Sequence, residues 1–345
     1  MATRRRLGAA VTMVLATALT VVGPAASAPG DITEFPIPGP FAVPRGITAG
    51  PDGALWFTEL VGDKIGRLQR NGVLTEYALP PTVPHHGPFN ITTGPGRALW
   101  FTEIDGNRIG RIDLLGRVTE FVVPTPNSGP LGIVWAPDGN IWFTENSGNK
   151  IGRLTPNGVF TEFEIPTPDS FPGDIAVGPD GNLWFTETFA DKIGRITLSG
   201  EITEFPTPTA GSQPEGIVAG ADGRVWFSEN QASQVGAITT SGEITEYPLL
   251  GPGREPVQLT LGWDCAVWFA QAGVNTGPAR ITPDGSVTEF PTGKPFAHVS
   301  GITVGVDGNI WFTESFANAI GRLETDPSNR LCVRQSIVSL GLLRV

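Results

Sequence analysis

Seven polar residues recur at one kind of position: Arg45, Asn90, Asp174, Glu215, Glu255, Gln258 and His298. Each lies within two residues of Pro44, Pro88, Pro172, Pro214 or Pro256, or of Val299, which replaces the proline in the last repeat. Together they offer carboxylate and amide oxygens, the donors that hard divalent cations prefer, or hydrogen-bonding groups for a polar ligand. Glu255 is the candidate metal ligand and the other six are candidate ligand-binding residues. His298 is also the one candidate base among them, because imidazole accepts protons near neutral pH. A water-filled channel tolerates the same side chains with no ligand at all. His85 and His86 are adjacent, and neighbours on an extended chain face opposite ways and do not easily share one metal ion, so solvated loop histidines are expected over a metal site completed by His298 across the mouth. The sequence carries no Ser-His-Asp order, Gly-rich phosphate loop or nucleotide motif.

The elements that must position these residues come from an internal repeat. Trp-Phe recurs at Trp56, Trp100, Trp142, Trp184, Trp226, Trp268 and Trp311, a period of 42 to 44 residues typical of propeller blades. Each unit reads as four short strands. In the first unit these are 44–49, 54–59, 64–68 and 73–77, with turns at Pro51-Asp52-Gly53 and Asn71-Gly72. The Trp-Phe strand is apolar on both faces, so each blade needs a neighbour on either side, and closing the ring removes the exposed ends. The expectation is an all-β, seven-bladed β-propeller. Residues 31–36 match the fourth strand of a unit yet precede the first unit. They are therefore expected to close the ring as the outer strand of the seventh blade, beside Ile320 to Leu323.

The flanks read differently. Arg4 to Arg6, the apolar run Leu7 to Val22 and Ala26-Ser27-Ala28 form a signal-peptide pattern over residues 1–28, and the Arg pair resembles a twin-arginine export signal. The propeller is expected over 29–323 and a non-repeat tail over 324–345, with Ile337 to Leu343 apolar enough to lie on the barrel. The chain is thus expected to be secreted or extracytoplasmic, off the membrane once the signal is removed, and monomeric. Without residues 1–28 it carries 20 basic and 34 acidic residues, a formal charge of −14, which repels nucleic acid and anionic membranes. Gly (45 residues) and Pro (32) argue against a helical bundle. Cys265 and Cys332 can form one disulfide in an oxidising compartment or stay as two buried thiols.

The recurring Asp-Gly-x-x-Trp-Phe-Thr-Glu and Ile-Gly-Arg-Leu/Ile segments, covering residues 31–323, resemble the virginiamycin B lyases, or streptogramin lyases. The resemblance implies a seven-bladed propeller that opens a cyclic depsipeptide antibiotic by magnesium-assisted elimination. In that family a His abstracts the proton and Glu residues bind the metal. Those residues stand after the proline of late blades, as Pro-His-(Gly/Ala)-Ile, and after the Trp-Phe strand. Here the first position holds Arg45, Phe89, Leu131, Gly173, Glu215, Val257 and Ser300, and none is His. The second holds Leu60, Ile104, Asn146, Thr188, Asn230, Ala272 and Ser315, and none is Glu. Glu255-Pro256 keeps the Glu-Pro of the family's Glu-Pro-His, with Val257 where the base belongs.

Two functions follow. One is an exported propeller whose channel mouth binds a small molecule, peptide or glycan without the elimination chemistry. The other is a magnesium-dependent streptogramin-type lyase. The Glu that ends each Trp-Phe strand is expected to be structural, since an active site needs asymmetry. The sixth unit has Gln271 in its place, and the fifth has Ala237 in place of the third-strand Arg. That joint loss predicts pairs between blades: Glu103 with Arg67, Glu145 with Arg111, Glu187 with Arg153, Glu229 with Arg195, Glu314 with Arg280 and Glu59 with Arg322.

Overall fold

The computed structural model describes residues 28–326, 328 and 332. Residues 1–27 of the proposed signal sequence and Ile337 to Leu343 lie outside the described residues. Twenty-eight strands, β1 to β28 in chain order, form seven four-stranded antiparallel sheets, with no helix among the described residues. The first blade is β2 (Pro44–Ala49), β3 (Leu55–Glu59), β4 (Lys64–Leu68) and β5 (Leu74–Ala78), ordered from the axis outward. The innermost strand of every blade contacts that of the next, and the seventh contacts β2, so the ring is closed.

The repeated motif is legible as packing. Every residue of β3 is buried. Trp56 stacks on Tyr77 of the outer strand with ring centroids 5.6 Å apart, and the same stack recurs in the other blades. Such rings each remove about 150–250 Å² from water, so the stacks dominate the core. Phe57 lies on the other face, across Gly66, where an added Cβ would stand 2.0 Å from the ring edge. That explains the Gly of each Ile-Gly-Arg segment. Closure follows the expected register, with β1 (Ile32–Pro36) paired to β28 (Ala319–Leu323) from Ile32↔Leu323 to Pro36↔Ala319. Phe35 of β1 supplies the seventh aromatic stack, 5.5 Å from Trp311. Cys265 and Cys332 are joined in a disulfide with Cα atoms 5.2 Å apart, tying the tail to the sixth blade.

The expected Glu–Arg pairs between blades do not form. The register sets Trp56 opposite Arg67 but Glu59 opposite Lys64, three positions further along the strand. At about 3.3 Å per residue the two charges lie near opposite ends of the blade. Arg67 instead bonds Asp52 of its own blade at 2.7 Å and lies over Trp56, whose indole N–H also donates to Asp52. Ala237 strands nothing, because Arg224 takes over both contacts, 2.7 Å from Asp222 and over Trp226.

Candidate functional site at the channel mouth

The innermost strands bulge as they enter the channel. Between Pro44 and Ile47 the register with β3 shifts, and the same irregularity recurs in all seven blades. A bulge re-aims side chains and leaves an amide to satisfy. Here the Thr of the Trp-Phe-Thr-Glu segment does so: Gly46 N–H donates to Thr58 Oγ1 at 3.0 Å, and Thr58 passes its own hydrogen to Phe89 O of the next blade at 2.7 Å. Thr102, Thr144, Thr186 and Thr313 repeat the relay, the last reaching Arg45 O across the closure. Residues just after the Trp-Phe strand add a second link: Asn146, Thr188, Asn230 and Ser315 donate to the proline carbonyl opening the next blade.

The seven predicted residues line two adjoining spaces. Arg45, Glu215, Glu255, Gln258 and His298 line a cavity of about 220 Å³ together with Phe89, Asn230, Val257, Ala272 and Ser300. Asn90 and Asp174 lie in a narrower space that shares Glu215 and Gln258 with it. One bulge position alternates around the ring as Gly46, Asn90, Gly132, Asp174, Gly216, Gln258 and Gly301. The glycines make room for their polar neighbours. A Cβ at Gly132 would sit 2.7 Å from Asp174 Cα, and one at Gly216 would sit 2.3 Å from Val257 O. This alternation, with Phe89, Asn230 and Ser300, was absent from the sequence-derived site, although the repeat alignment holds the signal.

The mouth is electrostatically mixed. Burial pushes the Asp174 carboxyl up to about 7 against bonds from the Ile175 and Ile217 amides. Its narrow opening keeps some solvent contact, yet it sits deep within the protein. Asn90 Nδ2 lies 3.4 Å from its Oδ1. Glu215 is likewise raised to about 7 by burial, opposed by Arg45 and assisted by the charges of Asp174 and Glu255. Burial and then the Arg45 charge lower His298, whose Nδ1 is 3.1 Å from Ser300 Oγ and whose ring lies against Phe316. Arg45 is lowered by its own burial. Its guanidinium lies over Phe89, reaches Ser300 Oγ at 3.4 Å and keeps a buried, unpartnered Nε.

Metal fit can be tested on the donors. Among the described residues, one set of three His, Cys, Asp or Glu side chains brings its ligand atoms within 4.8 Å, and it lies elsewhere, at His86, Glu103 and Glu120. Glu215 and Glu255 are therefore not part of a ready-made cage, and the Arg45 charge shares their space. The expectation for His86 also needs correction. His85 is exposed, between Asp63 and Asp105, but His86 is buried, 2.6 Å from Glu103 Oε2 and 2.7 Å from Pro80 O. It occupies the loop position held by the buried Ser128, Ser170 and Ser212 in later blades, a correspondence that the 42-residue spacing reveals.

A closed seven-bladed propeller with bulged inner strands and a polar, partly neutralised mouth is the class of protein defined so far. The chain belongs to the virginiamycin B lyase family, whose profile matches residues 22–134 and 82–331. A solved streptogramin B lyase superposes with a TM-score of 0.82 at 38% identity, covering 86% of this chain and 98% of that one. A catalytically inactive His-to-Ala variant of virginiamycin B lyase from Staphylococcus aureus, solved with quinupristin, gives 0.80 at 39% identity over 85% and 98%. Virginiamycin B lyase of Bordetella parapertussis is 44% identical over 52 residues, 15% of this chain. That local match spans only 17% of the Bordetella protein's length.

Proposed function

We propose that this chain is an exported, monomeric member of the family that holds a small molecule, peptide or glycan at the channel mouth without performing the elimination. The observation that carries the reading is Val257. It is 8% exposed in the wall of the mouth, at the position where the family resemblance places the proton-abstracting His. A hydrocarbon side chain cannot take a proton. His298, in the next blade, is held toward its neutral form and turned to Ser300, which suits a hydrogen-bonding residue. A ligand with an anionic or accepting group facing the free Arg45 Nε, and a donor facing Glu255, matches the chemistry of the walls.

The lyase alternative is favoured by the 38% identity over nearly the whole of a streptogramin B lyase and by the retained Glu255-Pro256. In that reading Mg2+ takes Glu255, with Glu215 beside it, and completes its shell with water. Incubation with a streptogramin B and Mg2+, followed by chromatography and fragmentation, separates the two, because the eliminated product has the mass of the intact ring. Retention without conversion is expected. A linear, ring-opened product at enzymatic rates overturns the binding-only reading.

A further inference from the structure

The second blade departs from its siblings where His86 replaces the buried serine. Pro80 O can only accept, so the imidazole nitrogen 2.7 Å away, Nε2, carries a hydrogen. Nδ1 then faces two carboxyls, 2.6 Å from Glu103 Oε2 and 3.5 Å from Glu120 Oε1. Oε1 of Glu103 and Oε1 of Glu120 are buried with no hydrogen-bond partner, and the Glu103 side chain is 0% exposed. The neighbouring blades neutralise the equivalent pair with an ammonium: Lys64, Lys150 and Lys192 reach Glu76, Glu162 and Glu204 at 2.8, 3.1 and 3.2 Å. In the second blade that position is Arg108, whose Nη1 turns to Gly106 O at 2.7 Å while its Nε stays 3.6 Å from Glu120. A buried carboxyl, a half-buried one and an imidazole thus converge where the lysine of those blades is replaced by the more distant Arg108.

We propose that His86 Nδ1, Glu103 and Glu120 form a site for a divalent transition metal of the Zn2+ type, outside the channel mouth. One nitrogen and two carboxylate oxygens suit Zn2+, whereas Mg2+ and Ca2+ take oxygen shells. Metal–ligand bonds of about 2.0–2.2 Å in a tetrahedron set ligands about 3.3 Å apart, close to the present Nδ1–Glu120 distance. Glu103 has to retreat by less than about 1 Å to match. Pro80 O supplies the outer hydrogen bond that orients a metal-bound imidazole. The metal pins residues 80–86, and with them the approach to Phe89, to the second blade.

The purified, chelator-treated chain titrated with Zn2+ in a calorimeter is expected to take one equivalent. H86S, which restores the residue of the later blades and so keeps the fold, is expected to lose that binding by at least 100-fold. No binding by the parent chain, or equal binding by H86S, overturns the site. Should H86S fail to fold, X-ray absorption of the Zn2+-loaded parent decides: one imidazole in the shell supports the site, and an all-oxygen shell overturns it.

Discussion

Arg45 is the side chain on which the mouth turns. Its charge holds the Glu215 carboxyl below where burial alone would put it, and it adds to the lowering of His298. Arg45→Gln removes that charge with little change of shape, so both the Glu215 and the His298 pKa should rise. NMR titration of the His298 ring reads this directly, and an unmoved His298 would show that Arg45 does not face it. The residue types of this site were legible in sequence because each stands within two residues of a strand-opening proline or of Val299, which replaces one. Their titration was not, since the raised Asp174 and Glu215 come from depth within a closed ring, which no local pattern encodes. His86 was misread for a related reason: alternation on an extended strand says little about a residue in a loop that folds back on its blade.

At the scale of the element, the Trp-Phe-Thr-Glu strand combines two unlike tasks. Trp and Phe supply the inter-blade packing, and Thr closes the bulge that builds the mouth. Thr144→Val keeps the volume and loses the hydroxyl, leaving Gly132 N–H and Gly173 O without their 2.8 and 2.6 Å partner. Two buried groups stripped in this way cost about 2–4 kcal/mol together. Chemical denaturation should read that loss, and a variant within about 0.5 kcal/mol of the parent would mean that water replaces the hydroxyl. Strand order, turn positions and the closing strand followed from the repeat, because hairpin turns and two-sided burial are local properties. The Glu–Arg pairing did not, since it depended on how far apart two side chains fall along a paired register. In the first and sixth blades the Asp of the turn, Asp52 or Asp264, is the true partner, and an Asp four residues before every Trp except Trp100 was the available signal.

Over the whole molecule the strand-end glutamates act as a set. Glu59, Glu187 and Glu229 are pushed up to about 8, and Glu145 to about 7, first by burial and then by the carboxylates of Glu76, Glu204, Glu246 and Glu162. Glu162 and Glu204 are themselves lowered: burial opposes this, but bonds from Thr125 or Thr167 and from Lys150 or Lys192 prevail. In the third and fourth blades the inner carboxyl, Glu145 or Glu187, therefore takes up a proton before the outer one does. The sixth blade makes the same point in covalent form. Gln271 is an amide where its siblings have a carboxyl, and its Nε2 donates to Glu289 Oε1 at 3.3 Å, as a protonated Glu can. Linkage then fixes the sign. A glutamate whose folded pKa is raised stabilises fully below its unfolded value near 4.5, and that contribution is lost as pH climbs through 7 to 8. The lowered groups, including Asp52, Asp180 and Asp222, work the other way and lose theirs as pH falls below about 4. Thermal melting should peak near pH 5 and decline steadily toward pH 9. The triple variant of Glu59→Gln, Glu187→Gln and Glu229→Gln fixes the protonated form permanently, so its curve should flatten between pH 6 and 9 while the acid limb stays. A parent melting temperature that is constant or rises over that interval would sink the proton-sharing account, as would a triple variant with the parent's slope.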